Sequence, residues 1–249
     1  MKHVEIVQDR AEFSVGTIKG FQIMILAKVK SFLHPLKKRL TGNIDKFLRD
    51  VTGIVHVGAN TGQERDEYKR HGLNVIWIEP IPHIFSELQN NLRGYERQMA
   101  LQALVTDVYG HQYEFHIASN NGASSSILEF KHHKDIWPGV NYTSSIKIES
   151  TTLDVLFERE RIDLSKYQAL TVDTQGSELL VLKGGISTLK SFRYIKIEVP
   201  DFESYAGCCQ LSDVEAFMKQ HGFSEFQRKK FATRSDGGSY FDIVYKRAI

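Results

Sequence analysis

Glycines and a carboxylate at the ends of two apolar runs are the residues whose types and spacing predict chemistry in this chain. The run 51–57 is followed by a turn that contains Gly58 and Gly62, and the run 75–78 ends at Glu79. Glycines let a backbone approach a bound molecule closely, and a carboxylate at a strand end accepts hydrogen bonds from ribose hydroxyls. The pattern therefore predicts a site for a cofactor that carries a nucleoside.

The spacing of the two glycines narrows the class of cofactor. Gly58 and Gly62 are separated by three residues, whereas a dinucleotide pyrophosphate is bound by a G-x-G-x-x-G turn. An NAD-dependent oxidoreductase would share the strand, the turn and the acid, but the missing glycine pattern disfavours it. A non-catalytic protein that binds the cofactor on the same scaffold stays open as a second alternative.

A second acidic segment, residues 170–178, supplies a candidate catalytic group. Asp173 follows an apolar run, and Gly176 permits close approach of the backbone. An acid at the end of a central strand is placed to accept a proton or to hold reacting groups. The alternative is that Asp173 and Glu178 stabilise the start of the next helix, which Ser177 is expected to cap.

Oxygen ligands for a divalent metal ion form a rival scheme. Asp173 and Glu198 end neighbouring predicted strands, Asp201 follows, and such carboxylates suit Mg²⁺. We do not favour this scheme and predict no metal ligands. His132 and His133 lie between lysines without a second cluster at ligand spacing, so we expect them in a solvated basic loop.

Alternating strands and helices must position these residues. After residue 50 the chain alternates apolar strand-like runs with helical patterns, which predicts a parallel sheet with helices on both faces. Two runs near the C-terminus, separated by a Gly-Gly turn, predict an antiparallel hairpin at one sheet edge. The predicted strands are 54–57, 75–78, 101–105, 113–117, 170–172, 194–199, 223–231 and 240–246, and the predicted helices are 63–70, 84–92, 153–159, 177–183 and 214–221.

The carboxyl ends of the predicted strands carry the candidate residues. Ligands of parallel sheets bind beyond these ends, where the strand order reverses, so Gly58, Glu79, Asp173 and Glu198 are expected to meet in one crevice. Residues 119–150 are predicted to be irregular and to form an insertion on the acceptor side of that crevice. Ser124, Ser125 and Ser126 are expected at its mouth, and Trp137 and Tyr142 are expected to offer flat faces for a sugar or another ring.

Composition and length bound the class of protein. A chain of 249 residues with a formal charge of +2 suits one α/β domain and carries no field that would attract nucleic acid. The adjacent Cys208 and Cys209 suit neither a disulfide framework nor a metal knuckle, which indicates a reducing, cytoplasmic compartment. We predict a basic, helical N-terminal extension over residues 1–50 and the functional domain over residues 51–249.

The basic extension is expected either to contact an anionic membrane surface or to pack on the fold or on a second copy in a homo-oligomer. Residues 16–50 are roughly amphipathic, with eight lysines and arginines against two aspartates. The apolar run 21–27 is far shorter than the roughly 18 residues of a membrane span, and no signal-peptide cleavage pattern follows it. Packing is the favoured alternative.

Six segments resemble motifs of the FkbM family of S-adenosylmethionine-dependent methyltransferases, and they occur in that family's order. Each motif is short, and the ordered set is what makes the resemblance specific. It covers about residues 50–200, with the C-terminal hairpin compatible and residues 1–50 outside it. The six segments are 55–62, 77–82, 124–128, 151–154, 172–178 and 195–198.

The resemblance implies a class I methyltransferase fold, an α/β Rossmann-like sheet with strand order 3-2-1-4-5-7-6 and strand seven antiparallel. It also implies that S-adenosylmethionine donates the methyl group. The implied acceptor is a small molecule or glycan, through a hydroxyl on a sugar, polysaccharide or secondary metabolite.

Carried over by position, the resemblance assigns each part of the donor to a strand end. Glu79 would hold the ribose, Gln102 and Ala103 would flank the adenine, and Asp173 with Gln175 would lie beside the sulfonium. The full set expected to contact the cofactor is His56, Gly58, Ala59, Asn60, Thr61, Gly62, Glu79, Pro80, Gln102, Ala103, Asp173, Gln175 and Gly176.

His56 departs from the family pattern, which has aspartate at this position to help hold the amino group of the cofactor. A histidine at a strand end is either a hydrogen-bonded core residue or, because its ordinary pKa is close to neutral, a base. A hydroxyl becomes an effective nucleophile when a base removes its proton. Asp173 is the first candidate for this catalytic role, and His56 is the second.

Overall fold

This computed structural model describes residues 44–248, which contain ten strands and five α-helices. The strands are β1 (Gly53–Val57), β2 (Asn74–Ile78), β3 (Gln98–Leu101), β4 (Leu104–Val105), β5 (Gln112–Ala118), β6 (Tyr142–Thr151), β7 (Ala169–Val172), β8 (Tyr194–Pro200), β9 (Phe223–Thr233) and β10 (Ser239–Arg247). The helices are α1 (Arg65–Arg70), α2 (Pro82–Asn91), α3 (Leu153–Arg159), α4 (Glu178–Lys183) and α5 (Leu211–Gln220).

Seven of the strands form one sheet in the order β3-β2-β1-β7-β8-β10-β9. The first five of these run parallel, and β10 is antiparallel to both of its neighbours. Counted within this sheet alone, the order is 3-2-1-4-5-7-6 with strand seven antiparallel, so the predicted fold class is confirmed. The order reverses between β1 and β7, which makes the crevice above these two strands the expected ligand position.

Both faces of this sheet are buried. Val55, Ile76, Leu170 and Ile195 lie side by side across four parallel strands and share one apolar cluster with side chains of α3, α4 and α5. The opposite face packs against α1, α2 and the 3-10 helix Ile44–Asp50. A parallel strand covered on both sides is apolar along its whole length, which is why the sequence predicts these strands well.

The apolar run 101–105 does not form one strand, and this prediction is wrong. β3 ends at Leu101 in the seven-stranded sheet. After two further residues the chain forms β4, which pairs with β6 in a different sheet. Leu104 and Val105 are buried again in the new position, so the apolar pattern continues although the chain changes sheet. An apolar run reports burial and does not distinguish one strand from two.

A second, three-stranded sheet takes in the last part of the irregular region predicted over residues 119–150, because β6 begins at Tyr142. β6 pairs antiparallel with β5 and parallel with β4. Ile146 and Ile148 of β6 pack toward Ile81 and Ile84 at the start of α2. The exposed positions of β6 are threonine, serine, lysine and glutamate, so the strand has the composition of a polar loop. The extra strand predicted over residues 113–117 is confirmed as β5.

The predicted extension over residues 1–50 is described only from Ile44 onward, and residues 1–43 lie outside the described residues. Phe47 and Leu48 of the 3-10 helix are buried against the sheet. The Lys196 ammonium of β8 donates to Asp45 Oδ1 at 2.8 Å, which adds an ion pair to this packing. The membrane or oligomer contact of residues 16–50, the domain boundary and the compartment stay predictions. Between residues 44 and 248, every helix falls short of the length and apolar content that a bilayer span requires.

Gly58 determines how closely the ends of β1 and β7 approach. Its φ is +83°, and a Cβ atom at this position would lie 1.7 Å from the carbonyl oxygen of Asp173. We expect Gly58→Ala to lower the free energy of unfolding by more than about 3 kcal/mol, because the two strand ends must separate.

Gly94→Ala is the matched control for this substitution. Gly94 has a φ of +85°, but nothing lies within 4 Å of the added Cβ, so only backbone strain of about 1–2 kcal/mol applies. Urea unfolding measures both variants. Equal losses of stability would show that the contact with the Asp173 carbonyl is not the constraint.

Candidate active site

The turn after β1 and the carboxylate after β2 form one hydrogen-bonded unit. The N–H groups of Gly58 and Ala59 both donate to the carbonyl oxygen of Ile78, each at 3.0 Å. The N–H of Asn60, a residue with a φ of +45°, donates to Glu79 Oε2 at 2.9 Å. The glycine turn is thus folded directly onto the strand end that carries the acid.

Glu79 is buried yet keeps acceptor capacity for a ligand. Only 4% of the residue is exposed, and Oε1 accepts the N–H of Ile81 at 2.9 Å. Burial raises the pKa of Glu79 to about 7, and the hydrogen bonds from Ile81 and Asn60 oppose this rise. Each carboxylate oxygen has two lone pairs, so one acceptor position is left on each after these bonds. The expected bonds from two ribose hydroxyls would use that pair of positions, and this role of Glu79 stays a prediction.

Gln102 and Ala103 lie beside this acid because the chain leaves the main sheet there. The N–H of Glu79 donates to the carbonyl oxygen of Leu101 at 3.2 Å. Gln102 Nε2 donates to the carbonyl oxygen of Pro80 at 3.4 Å. The two residues predicted to flank the adenine are therefore adjacent to the residue predicted to hold the ribose, and their contact with a nucleobase stays a prediction.

The acid after β7 lies in a cluster of carboxylates joined by an amide. Asp173 Oδ1 accepts a hydrogen bond from Gln175 Nε2 at 2.6 Å, and the same nitrogen donates to Glu198 Oε1 at 3.3 Å. Tyr205 donates its hydroxyl to Gln175 Oε1 at 2.7 Å. The predicted residues Asp173, Gln175 and Glu198 are thus brought together above β7 and β8.

Burial and mutual repulsion set the protonation of this cluster. Burial raises the pKa of Asp173 to about 7 and holds the pKa of Glu198 well above its ordinary value. The charges of Glu178 and Asp242 contribute to the rise of both pKa values. The Gln175 amide lowers both, because it donates to the ionised forms. A carboxyl group with a pKa near neutral is suited to accept and release protons.

Residues 120–126 of the acceptor-side region touch both loops. Asn60 Nδ2 donates to the carbonyl oxygen of Asn121 at 3.0 Å, and Ser126 Oγ donates to the carbonyl oxygen of Gln175 at 2.8 Å. Asn121 and Gln175 both have a φ of +57°, in the left-handed region that few side chains adopt. One short segment therefore fixes the turn after β1 and the loop after β7.

Comparison with known families identifies this arrangement. The family described as the methyltransferase FkbM domain matches residues 56–225 of this chain. The chain belongs to the FkbM methyltransferase family. The match runs from β1 into β9 and so includes the glycine turn, Glu79 and the Asp173 cluster.

Known relatives of this FkbM chain are distant. The 2-O-methyltransferase NoeI of Sinorhizobium fredii (strain NBRC 101917 / NGR234) is 27% identical over 165 residues. That match covers 62% of this chain and 65% of the length of the relative.

Solved structures with a similar chain course include a complex with S-adenosyl-homocysteine and a methyltransferase. M. capricolum TrmK in complex with S-adenosyl-homocysteine aligns with a TM-score of 0.48 and 7% identity, covering 83% of this chain and 68% of that one. Magnesium protoporphyrin IX methyltransferase (ChlM) from Synechocystis PCC 6803 aligns with a TM-score of 0.44 and 10% identity, covering 96% and 87%. Likeness at this level does not bear on activity.

His56 lies below the FkbM glycine turn in a buried row of side chains. Only 6% of the residue is exposed, and its ring stacks on Trp77 with the centroids 5.0 Å apart. His56 Nδ1 lies 3.2 Å from the hydroxyl of Tyr68. Burial lowers the pKa of His56, which keeps the imidazole neutral. This environment is typical of a hydrogen-bonded core histidine, and its roles as cofactor contact or base stay predictions.

Glu178, rather than Ser177, stabilises the loop before α4. The Ser177 hydroxyl donates to the carbonyl oxygen of Thr174 at 3.2 Å and makes no cap, so the predicted cap is wrong. Glu178 Oε1 instead accepts the N–H groups of Thr174 at 2.9 Å and Gly176 at 3.0 Å. The carboxylate thereby satisfies backbone donors of the loop that leads into the helix, which is a structural role for Glu178.

The residues of the rival metal scheme have protein partners. The Gln175 amide lies between Asp173 and Glu198, and Asp201 Oδ1 accepts the N–H of Ser239 at 2.6 Å. Across the described part of the chain, no three His, Cys, Asp or Glu side chains are grouped as a metal site requires.

His133 and three serines of the acceptor-side loop are buried, although most residues between 119 and 150 are exposed or half-buried. His133 is 1% exposed, its ring stacks on Phe130 at 4.6 Å, and its Nε2 lies 3.1 Å from Ser124 Oγ. Ser125 and Ser126 are buried as well and bond to the backbone of the fold. The prediction of a solvated loop is therefore wrong at His133, which packs inside the insertion. Ser125 and Ser126 bond to backbone groups outside the insertion, and the expected position of residues 124–126 at the mouth of the site stays a prediction.

Trp137 and Tyr142 belong to an aromatic cluster beside the Asp173 network. The Tyr142 ring stacks on Phe130 with the centroids 4.0 Å apart and on His116 at 4.8 Å. Trp137 packs on His133 with the centroids 4.8 Å apart. The rings of Phe130 and His116 thus cover the Tyr142 ring, which does not offer the predicted free flat face.

Sequence reasoning missed Tyr205 at this FkbM site and one ion pair elsewhere in the fold. Tyr205 follows β8 in an irregular stretch, and its signal is weak: an aromatic residue soon after a strand that contains an acid. Lys196 and Asp45 form an ion pair across 151 positions of the chain, which no local pattern reveals.

The raised pKa of Glu79 makes the stability of this protein depend on pH. The folded state favours the protonated carboxyl of Glu79 more than the unfolded state does. The contribution of Glu79 to the free energy of unfolding is therefore largest below about pH 4.5 and is lost as the pH rises through about 7. Glu79→Gln removes this titration. We expect the stability of the wild type relative to Glu79→Gln to fall by on the order of 3 kcal/mol across that range.

Urea unfolding at intervals between pH 4 and about 8, without added ligand, measures this difference. Glu87→Gln is the matched control, because Glu87 is exposed on α2, and we expect its stability difference to stay within about 0.5 kcal/mol of a constant. A flat difference for Glu79→Gln would contradict the effect of burial on Glu79.

Proposed function

We propose that this chain is an S-adenosylmethionine-dependent methyltransferase that methylates a hydroxyl oxygen on a sugar, polysaccharide or secondary metabolite. One observation carries the proposal: two carboxylates with different surroundings meet at one sheet edge. Backbone N–H groups hold Glu79, which suits ribose binding, and the Gln175 amide holds Asp173, which suits proton transfer. Membership of the FkbM family supports methyl transfer, and the name of the 2-O-methyltransferase relative supports oxygen as the acceptor atom.

The donor would be held at the ends of β1, β2 and β3. Glu79 would accept hydrogen bonds from the ribose hydroxyls, and Gln102 with Ala103 would flank the adenine. The backbone around Gly58 would face the methionine part, where the absence of a side chain allows close approach. Bound S-adenosylmethionine supplies an electrophilic methyl group on a sulfonium with a neutral thioether as leaving group.

Asp173 would accept the proton of the acceptor hydroxyl as its oxygen attacks. A hydroxyl is a weak nucleophile until its proton is removed, and a positioned base contributes about 10²–10⁴-fold. The pKa of about 7 leaves a large fraction of Asp173 ionised at neutral pH while keeping it basic enough to take the proton. Holding the acceptor oxygen in line with the methyl group contributes roughly 7–11 kcal/mol more.

Calorimetry and a labelled-methyl assay test the proposal together. The purified protein is titrated with S-adenosylmethionine, S-adenosylhomocysteine and NAD⁺, and is then incubated with methyl-labelled donor and a panel of sugars, polysaccharides and alcohols. We expect binding of the first two ligands and transfer of label to a hydroxyl. Binding of NAD⁺ alone would favour the oxidoreductase, and tight binding of S-adenosylhomocysteine without transfer to any acceptor would favour the non-catalytic module. Turnover that survives chelation would exclude the Mg²⁺ scheme.

Glu79→Ala tests the donor site. Loss of hydrogen bonds to a charged acceptor is worth about 1.5–3 kcal/mol per bond, so we expect the Kd for S-adenosylmethionine to rise by tens-fold or more. Glu87→Ala, on the exposed face of α2, serves as the control and should bind like the wild type. An unchanged Kd in a folded Glu79→Ala protein would mean that Glu79 does not hold the ribose.

Asp173→Asn tests the base. The asparagine can still accept from Gln175 but cannot take a proton, so kcat should fall by about 10²–10⁴-fold while the Kd for the donor changes little. Asp236→Asn, in the exposed turn between β9 and β10, is the matched control. The reverse pattern, with weakened donor binding and intact kcat, would make Asp173 a binding residue.

A further inference from the structure

We propose that Tyr205 is a positioning residue whose hydroxyl keeps the Gln175 amide turned with its nitrogen toward Asp173 and Glu198. This inference rests on the proposed function, in which Asp173 must be ionised to accept a proton. It assigns a role to a side chain that no motif in the sequence singles out.

The geometry of one amide carries the proposal. Tyr205 donates to Gln175 Oε1 at 2.7 Å, and Gln175 Nε2 donates to Asp173 at 2.6 Å and to Glu198 at 3.3 Å. Each end of the amide therefore faces a group of the complementary kind, with a donor at its oxygen and acceptors at its nitrogen.

The opposite orientation of the amide is available only when Asp173 or Glu198 carries a proton. With the amide reversed, Oε1 would face the oxygens of Asp173 and Glu198, which repel it unless one of them carries a proton. The Tyr205 hydroxyl would then accept from the nitrogen and donate to the carbonyl oxygen of Ser124, which lies 3.4 Å away. The bond from Tyr205 to Oε1 thus selects the orientation that favours ionised carboxylates.

Tyr205 and the backbone of Gln175 are both held rigidly. Tyr205 is 1% exposed and packs against the rings of Phe130 and His133, with centroids 5.5 and 5.3 Å away. Burial holds the pKa of Tyr205 well above its ordinary value, so the phenol remains a donor. The backbone of Gln175 is fixed by the bond from Ser126 to its carbonyl oxygen. The amide can therefore respond to loss of the tyrosine hydroxyl only by rotating its side chain.

The hydrogen bond from Gln175 lowers the pKa of Asp173, whereas several acidic groups raise it. The carboxylates that act on Asp173 come from four different elements: Glu198 on β8, Glu178 on α4, Asp242 on β10 and Glu64 before α1. Each of these charges favours protonated Asp173, whereas the amide nitrogen favours the ionised form. Without Tyr205 to hold the amide, the balance moves toward the protonated acid.

Tyr205→Phe is the variant that tests this role, with Tyr245→Phe as its matched control. Tyr245 is equally deep in the fold, but its hydroxyl has no hydrogen-bond partner among the described residues, and it lies away from the site. We expect Tyr205→Phe to move the acid limb of the kcat profile to higher pH by about one unit. The variant should lose turnover several-fold at pH 7 and recover toward the wild type near pH 9, and Tyr245→Phe should match the wild type throughout.

A readout independent of turnover separates this inference from the proposed function. Aspartate labelled with ¹³C at the side-chain carboxyl reports the titration of Asp173 directly, with its resonance assigned by its loss in Asp173→Asn. We expect the Asp173 titration to move to higher pH in Tyr205→Phe and to be unchanged in Tyr245→Phe.

An unchanged titration in folded Tyr205→Phe would overturn the positioning role, as would a kcat profile lowered equally at every pH. If the titration moves but no hydroxyl on any acceptor is methylated, the proposed function fails and the positioning role stands.

Discussion

The close contact between the ends of β1 and β7 is the constraint on which the site depends. The Gly58 backbone approaches the Asp173 carbonyl so closely that no side chain fits between them. Parallel strands bring their carboxyl ends to the same sheet edge, but it is this contact that joins the turn folded on Glu79 to the loop that carries Asp173. The bridge through residues 120–126 then holds both loops from above, by bonds to Asn60 and Gln175.

Hydrogen-bond donors, rather than cations, offset the acidic charge gathered at this edge. Burying a carboxylate is unfavourable unless its oxygens are hydrogen-bonded. Glu79 and Glu178 are satisfied by backbone N–H groups, and Asp173 and Glu198 share the Gln175 amide. Neutral donors compensate only in part, which leaves these acids with raised pKa values and places two of them near neutral. A full positive charge at the same place would have kept them ionised and weakly basic.

The sequence predicted what is local and missed what is assembled over distance. Glycines, strand ends and the acids after them were found because each is encoded within a few residues. The parallel α/β sheet followed from the alternation of strands and helices, and the strand order came from the resemblance to the FkbM family. The strand β6 was missed because one of its faces is exposed and its composition is that of a loop. The run 101–105 was read as one strand because burial continues across a change of sheet. The partners of Gln175 and of Lys196 depend on side chains brought from distant segments, and periodicity holds no information about them.

A short link connects the large sheet, which carries the expected donor site, to the small sheet on the expected acceptor side. Only Gln102 and Ala103 separate β3, in the large sheet, from β4, in the small one, and Gln102 also bonds to the backbone beside Glu79. If binding of an acceptor tilted the small sheet, this link would pass the movement to the end of β3, where the nucleobase is expected. Occupancy of one site would then be coupled to affinity at the other, and by thermodynamic linkage that coupling would be equal in both directions.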